Sequence, residues 1–288
     1  MGEMQLDMSA QTGLLGVFGH PIGHSLSPRI HNAAFRAQGL DLVYLAFDVA
    51  PERLPAAVSG IRALGIRGVN LTVPHKEAAL PLLDALDPLA ERVGAANTIV
   101  NDDGLLTGYN TDISGFTAAL ATVLPQGVRG LDCLVVGAGG AARAVLAALT
   151  DGGARTVYVY NRTPGRAVDL CRVAGTWGES ECRTIDEAAL QHTARSVPLI
   201  VNATPAGLSG GVKELPLPVD SVGNGQIVVD LAYGRKSTTL VEAARQKGAI
   251  AIDGKKMLVM QAALAYRLWT GLEPPIETMH GSIDLRER

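Results

Sequence analysis

The chain reads as an α/β protein of two domains, and three features of its sequence predict this. Short apolar runs alternate throughout with longer stretches of helical period, the pattern of repeated strand-helix-strand units. The 288 residues exceed the ~100–150 typical of one domain, so two domains, or one discontinuous domain wrapped around another, are expected. Hydrophobic residues make up 47% but aromatics only 4%, so Ala, Val and Leu must fill the core, as suits helices laid over parallel strands.

The elements follow in order. Leu14 to Phe18 is the first strand. It leads through Gly19-His20-Pro21-Ile22-Gly23 to Ser27-Pro28, a favoured N-cap and first helical residue, so a helix runs to about Gln38 and stops at Gly39. Leu42 to Val49 is a strand, Pro51 opens a helix ending near Gly65, and Val69 to Val73 is a third strand. Helical segments around Ala78–Leu83 and Leu89–Val93 precede two short strands flanking the turn Asn101-Asp102-Asp103-Gly104. After Asn110-Thr111-Asp112 a helix of small and apolar residues continues to about Leu124, where Pro125-Gln126-Gly127 breaks the pattern.

A second series begins at strand Cys133–Val136, with a helix over 140–150, strand Thr156–Tyr160, a helix over 164–173 and another near 186–191. Strands Leu199–Val201 and Ile227–Leu231 complete a doubly wound sheet. A helix from Ser237 to Lys247, a short strand Ala249–Ile252 and a long apolar helix Met257–Trp269 finish the chain. The expected domains are 1–112 with 249–288, and 113–248.

A formal charge of −3 and the lack of any Lys/Arg run argue against nucleic-acid or anionic-membrane partners. No segment reaches the ~18 consecutive apolar residues of a membrane helix, and Met1–Thr12, with Glu3 and Asp7, does not read as a signal peptide. Three cysteines, at 133, 171 and 182, have neither the number of a disulfide framework nor zinc-site spacing, so a reducing cytoplasm fits them. The histidines offer no pair with metal-ligand spacing, and no metal is assigned.

Val135-Val136-Gly137-Ala138-Gly139-Gly140-Ala141-Ala142 follows a strand and opens a helix, the context a dinucleotide fingerprint requires. Gly137 permits the tight turn, Gly139 lets backbone approach a pyrophosphate, and Ala142 allows close helix packing. At the next strand end, where an NAD enzyme places an acid against the ribose 2′-hydroxyl, stand Asn161-Arg162-Thr163, with Arg166 one turn later. Two guanidiniums there suit a 2′-phosphate, so the cofactor is read as NADP. The alternative is a solvated helix start, which the cost of cations at a helix N-terminus disfavours. Ala203, Thr204 and Pro205, in Asn202-Ala203-Thr204-Pro205-Ala206-Gly207, form either a loop for the nicotinamide half or an ordinary connection.

The first domain carries polar residues at strand ends with no evident structural duty: Ser25, Ser27, Asn70, Thr72, Lys76, Asn97, Asn110 and Asp112 among them. In an extended Ser25-Leu26-Ser27 the two serines point the same way, as do Asn70 and Thr72 on their strand. Ser27 serves either there or only as a helix cap. Such a set suits a ligand with several hydroxyls, and Lys76, held by a carboxylate such as Asp112, suits protonation of an alkoxide formed by hydride transfer.

Pro21-Ile22-Gly23-His24-Ser25-Leu26-Ser27-Pro28, Asn70-Leu71-Thr72-Val73-Pro74-His75-Lys76, Gly94-Ala95-Ala96-Asn97-Thr98, Gly108-Tyr109-Asn110-Thr111-Asp112, Asn161-Arg162-Thr163 and Asn202 to Gly207 resemble the ordered motifs of the shikimate dehydrogenase family. That resemblance spans nearly the whole chain. It implies an N-terminal α/β substrate domain, a Rossmann domain for NADP and C-terminal helices returning to the first domain, with the substrate between lobes that close by hinging. It further implies NADPH-dependent, reversible reduction of 3-dehydroshikimate to shikimate. Lys76 and Asp112 are the implied catalytic pair, with Ser25, Ser27, Asn70, Thr72, Asn97, Tyr233 and Gln261 around the substrate. The alternatives are a quinate or aminoshikimate dehydrogenase and a non-catalytic sensor of a shikimate-pathway ligand. The chain departs from the family pattern at Gly234-Arg235-Lys236-Ser237 after Tyr233, at Lys255-Lys256-Met257, and at Ile113 after Asp112.

Overall fold

The structure is a computed structural model and describes residues 8–206, 217–234 and 237–283. Gly207, Arg235, Lys236, Glu3 and Asp7, singled out from the sequence, lie outside those residues. The chain forms two compact units: one takes in the chain up to Thr111 and again from Leu258, the other runs from Asp112 to Met257.

The first unit begins with β1 (Gly13–Gly19), α1 (Ser27–Ala37), β2 (Leu42–Asp48), α2 (Leu54–Ala63) and β3 (Gly68–Leu71). It continues through α3 (His75–Ala78), β4 (Ala85–Leu86), α4 (Pro88–Val93), β5 (Thr98–Asp102) and β6 (Leu105–Tyr109). The sheet order is β2-β1-β3-β5-β6-β4, with β1, β2 and β3 parallel and β5 antiparallel to both neighbours. Alternation along β1 divides the core: Leu15 and Val17 join a cluster with Ile30, Phe35 and Tyr44, while Phe18 faces Leu54, Val58 and Ile61 of α2.

The second unit comprises α5 (Asp112–Ala121), β7 (Asp132–Val136), α6 (Gly140–Asp151), β8 (Thr156–Tyr160), α7 (Pro164–Ala174), β9 (Glu181–Thr184) and α8 (Glu187–Ser196). It ends with β10 (Leu199–Asn202), β11 (Ile227–Asp230), α9 (Thr239–Gln246) and β12 (Ile250–Ile252). Its strands are all parallel in the order β12-β11-β10-β7-β8-β9, so the order reverses at β7 and β10, as in the doubly wound dinucleotide fold. Leu134, Val136, Val228, Leu240 and Val241 share one core cluster. Helix α10 (Lys255–Thr270) leads back into the first unit, where α11 (Ile276–Gly281) follows. Val259, Ala262, Tyr266 and Met279 complete the cluster around Leu15 and Tyr44.

Several expectations are corrected. The 78–83 helix is only α3 plus one 3-10 turn at Leu80–Leu82, because Pro81 breaks the hydrogen-bond ladder there. Strands β4 and β9 and helix α11 were not foreseen. The strand at 250–252 pairs with β11 and belongs to the second sheet rather than to the returning segment. Ser25-Leu26-Ser27 is not extended: Leu26 is helical in backbone and itself occupies the N-cap, so Ser27 begins the helix and caps nothing. Cys171 on α7 and Cys182 on β9 form a disulfide, with Cα atoms 5.2 Å apart, because α7 packs beside β9; only Cys133 is free, and it is buried. Among the described residues no helix is long and apolar enough to cross a membrane.

Candidate active site

In the first unit, β3 and β5 lie antiparallel, and their ends bring the predicted amides together. Asn70, buried on β3, donates through Nδ2 to the Asn97 carbonyl at 3.1 Å and to Thr98 Oγ1 at 2.9 Å, and its Oδ1 accepts from Tyr44 Oη at 2.7 Å. Asn97 donates to Thr111 Oγ1 at 2.9 Å and to Gln261 Oε1 at 3.2 Å, while its Oδ1 accepts from the Thr111 N–H at 2.8 Å. Gln261 reaches this cluster because α10 returns to the first unit, and its Nε2 is held by the Leu258 carbonyl at 2.8 Å.

Lys76 sits one residue into α3, and the Ala96 N–H donates to the Lys76 carbonyl at 2.9 Å, which pins its turn beside Asn97. Thr72, just past β3, is half-buried and donates its N–H to the Phe18 carbonyl at 3.0 Å. Ser25 is half-buried and Ser27 buried at the start of α1; Ser25 Oγ accepts from the Ser27 N–H at 3.3 Å.

The sequence reading missed Tyr44, which no motif marks. Its ring stacks on His31 with centroids 4.4 Å apart and planes 11° from parallel. His31 is fully buried among Phe35, Tyr44 and Trp269, and its ring nitrogens lack partners. Burial pulls its pKa from 6.5 down to about 3, so it stays neutral.

In the second unit, Gly137 has φ +119° after β7, a conformation that favours glycine, and an added Cβ would lie 3.0 Å from the Ala203 carbonyl oxygen. Gly139 is the N-cap of α6 and caps nothing; beyond its missing Cβ there is open space to 4 Å. Gly140 and Ala141 open the helix, leaving amide donors for an anion, while Ala138 and Ala142 are buried. At the end of β8, Asn161 Nδ2 donates to the Thr163 carbonyl at 2.8 Å, Thr163 is the N-cap of α7, and Arg162 and Arg166 are exposed around it. These residues fit a dinucleotide bearing a 2′-phosphate: an uncapped helix start, room for a pyrophosphate, and cations in place of a carboxylate.

Asn202 ends β10 and orders the next loop, since its Oδ1 accepts from Thr204 N–H at 3.1 Å and from Thr204 Oγ1 at 2.7 Å; Pro205 beyond it is exposed. Asp112 is buried at the start of α5. Tyr233 follows β11, and burial, then the Asp112 carboxylate, push its phenol up to about 12, so it is a neutral hydrogen-bond donor. Among the described residues no group of three or more His, Cys, Asp or Glu could hold a metal ion.

Comparison with known proteins accords with this arrangement. Residues 17–99 match the family profile described as the shikimate dehydrogenase substrate binding domain, 119–254 that of shikimate / quinate 5-dehydrogenase, and 256–283 that of the shikimate 5'-dehydrogenase C-terminal domain. The shikimate dehydrogenase (NADP(+)) of Moorella thermoacetica is 47% identical over 278 residues, covering 95% of this chain and 93% of the relative. A crystal structure of a shikimate dehydrogenase in complex with NADP+ has a TM-score of 0.88 at 37% identity, covering 98% of both chains. That of shikimate 5-dehydrogenase from Thermus thermophilus with NADP(H) and shikimate has a TM-score of 0.81 at 40% identity, over 94% of this chain and 98% of that one. With both units matched and near-full-length relatives this similar, the chain belongs to the shikimate dehydrogenase family.

Proposed function

We propose that this protein reduces 3-dehydroshikimate to shikimate with NADPH, reversibly. The observation that carries the reading is the buried cluster of Asn70, Asn97 and Gln261 with Lys76 pinned beside it, a set of neutral hydrogen-bonding groups and one cation suited to a small polyhydroxylated acid. Bound NADPH supplies the hydride. The ketone oxygen becomes an alkoxide as the hydride reaches its carbon, and the Lys76 ammonium gives it a proton, leaving an alcohol and a neutral amine. In this reading Asp112 is the second member of the catalytic pair, and Tyr233 and the serines 25 and 27 take part in recognising hydroxyls and carboxylate. Arg162 and Arg166 select the 2′-phosphate.

The enzyme acts in the cytoplasm, as a monomer or homodimer. The Cys171–Cys182 bridge pulls against a strongly reducing compartment. The test is nicotinamide absorbance with purified protein and NADP or NAD, offered shikimate, quinate and aminoshikimate in parallel. Rapid NADP reduction with shikimate alone supports the reading; preference for another acid moves the substrate, and silence with all three despite ligand binding replaces the enzyme by a sensor.

A further inference from the structure

A buried polar ladder in the second unit joins residues that the reaction scheme leaves unconnected. Asp230 ends β11 and Asn202 ends β10, opposite each other in the parallel register, and both are essentially inaccessible. Asp230 Oδ1 accepts from Asn202 Nδ2 at 2.7 Å and from the Ala232 N–H at 3.0 Å; its Oδ2 accepts from Thr238 Oγ1 at 2.6 Å. Asn202 then passes the order on, its Oδ1 accepting both the N–H and the hydroxyl of Thr204, whose Oγ1 accepts from the Ala206 N–H at 3.2 Å.

One carboxylate therefore holds two segments. The first, 203–206, lies against the glycine turn after β7, since a Cβ added at Gly137 would stand 3.0 Å from the Ala203 carbonyl oxygen and 3.2 Å from Thr204 Cγ2. The second, 232–233, carries Tyr233. A carboxylate is a costly group to bury, and burial does raise the Asp230 pKa against its hydrogen bonds; an apolar pair would close two strand ends at less cost. What the carboxylate provides is a planar acceptor that fixes three donors at once, from the end of β10, the segment after β11 and the Thr238 helix cap.

We infer that Asp230 is a positioning residue that sets the cofactor loop at 203–206 and the Tyr233 segment in one register, coupling cofactor and substrate contacts through a single side chain. This rests on the function proposed above. The experiment pairs NADPH fluorescence titration, which needs no turnover, with the KM for shikimate, on protein whose melting and circular dichroism show it folded. Asp230→Ala strands three buried donors and releases both segments, so both the NADPH Kd and the shikimate KM rise about tenfold, about 1.4 kcal/mol each.

Asn202→Ala releases only the cofactor arm and raises the NADPH Kd while the shikimate KM holds. Asp230→Asn keeps one acceptor oxygen for Asn202 and Ala232 and recovers most of both constants. A folded Asp230→Ala with both constants at wild-type values overturns the inference. Should that variant not fold, an unchanged NADPH Kd in Asn202→Ala overturns it equally, as would Asn202→Ala moving both constants together. If the wild-type protein binds NADPH but turns over no shikimate, the proposed function fails while the titration still judges Asp230.

Discussion

Lys76 and His31 show how position decides the use of a titratable side chain. Lys76 stands at the start of α3 beside Asn97, where an ammonium can serve a developing alkoxide. Lys76→Ala is expected to lower kcat by roughly 10²–10⁴-fold while the NADPH Kd stays within twofold, measured by turnover and fluorescence titration. His31 is buried and neutral with a folded pKa of about 3 against 6.5 unfolded. The unfolded chain binds the extra proton between those values, so the stability is whole above pH 6.5 and is lost as pH falls toward 3, by about 1.4 kcal/mol per unit. Urea melts at pH 7 and pH 5 should show His31→Phe, which keeps the stack on Tyr44, losing about 2 kcal/mol less than wild type. Equal losses would mean that His31 is solvated.

At the scale of elements, the β7–α6 turn and the β8–α7 junction carry the cofactor reading. Gly139 has no positive φ and nothing within 4 Å of an added Cβ, so Gly139→Ala should leave the melting temperature unchanged yet raise the NADPH Kd tenfold or more, its methyl group standing where the pyrophosphate approaches. Gly137→Ala, with φ +119° and the Ala203 carbonyl in the way, should also lower stability, by about 1–3 kcal/mol. Arg162→Ala should weaken NADP by about tenfold or more and NAD hardly at all in parallel titrations; equal weakening would remove the 2′-phosphate contact. Elements without a pattern escaped the sequence. Strand β9, Glu181-Cys182-Arg183-Thr184, is an exposed edge with no apolar run, β4 has two residues, and α11 is six residues after a proline pair, too short for periodicity to register.

The whole molecule is built from a chain that leaves its first unit at Asp112 and returns to it at Leu258. Val259, Ala262, Ala263, Tyr266 and Met279, all nearly inaccessible, pack with Leu15, Ile30, Phe35 and Tyr44. Each large side chain among them is worth about 1.5–3 kcal/mol of burial against a total stability of about 5–15 kcal/mol. A chain ended at Met257 should therefore lose the folded first unit, and limited proteolysis should digest residues up to 111 first. Survival of that unit would mean that the returning helices are dispensable to its core.

By itself the sequence determined the α/β class, the order of the main strands and helices, the glycine turn at Gly137–Ala142 between a strand and a helix, and the place of Arg162 and Arg166 at the next helix start, because these depend on residues adjacent in the chain: a strand, a glycine turn and a helix start are local objects. Only the tertiary structure decided that Gln261 meets Asn97 across 164 residues, that Tyr44 holds Asn70, that Asp230 ties two segments, that Cys171 meets Cys182, and that Leu26 rather than Ser27 stands at the N-cap position of α1. The physical reason is that hydrogen bonds and packing act at a few ångströms whatever the chain separation, and which distant residues come that close is set by strand order and helix return, which no local pattern encodes.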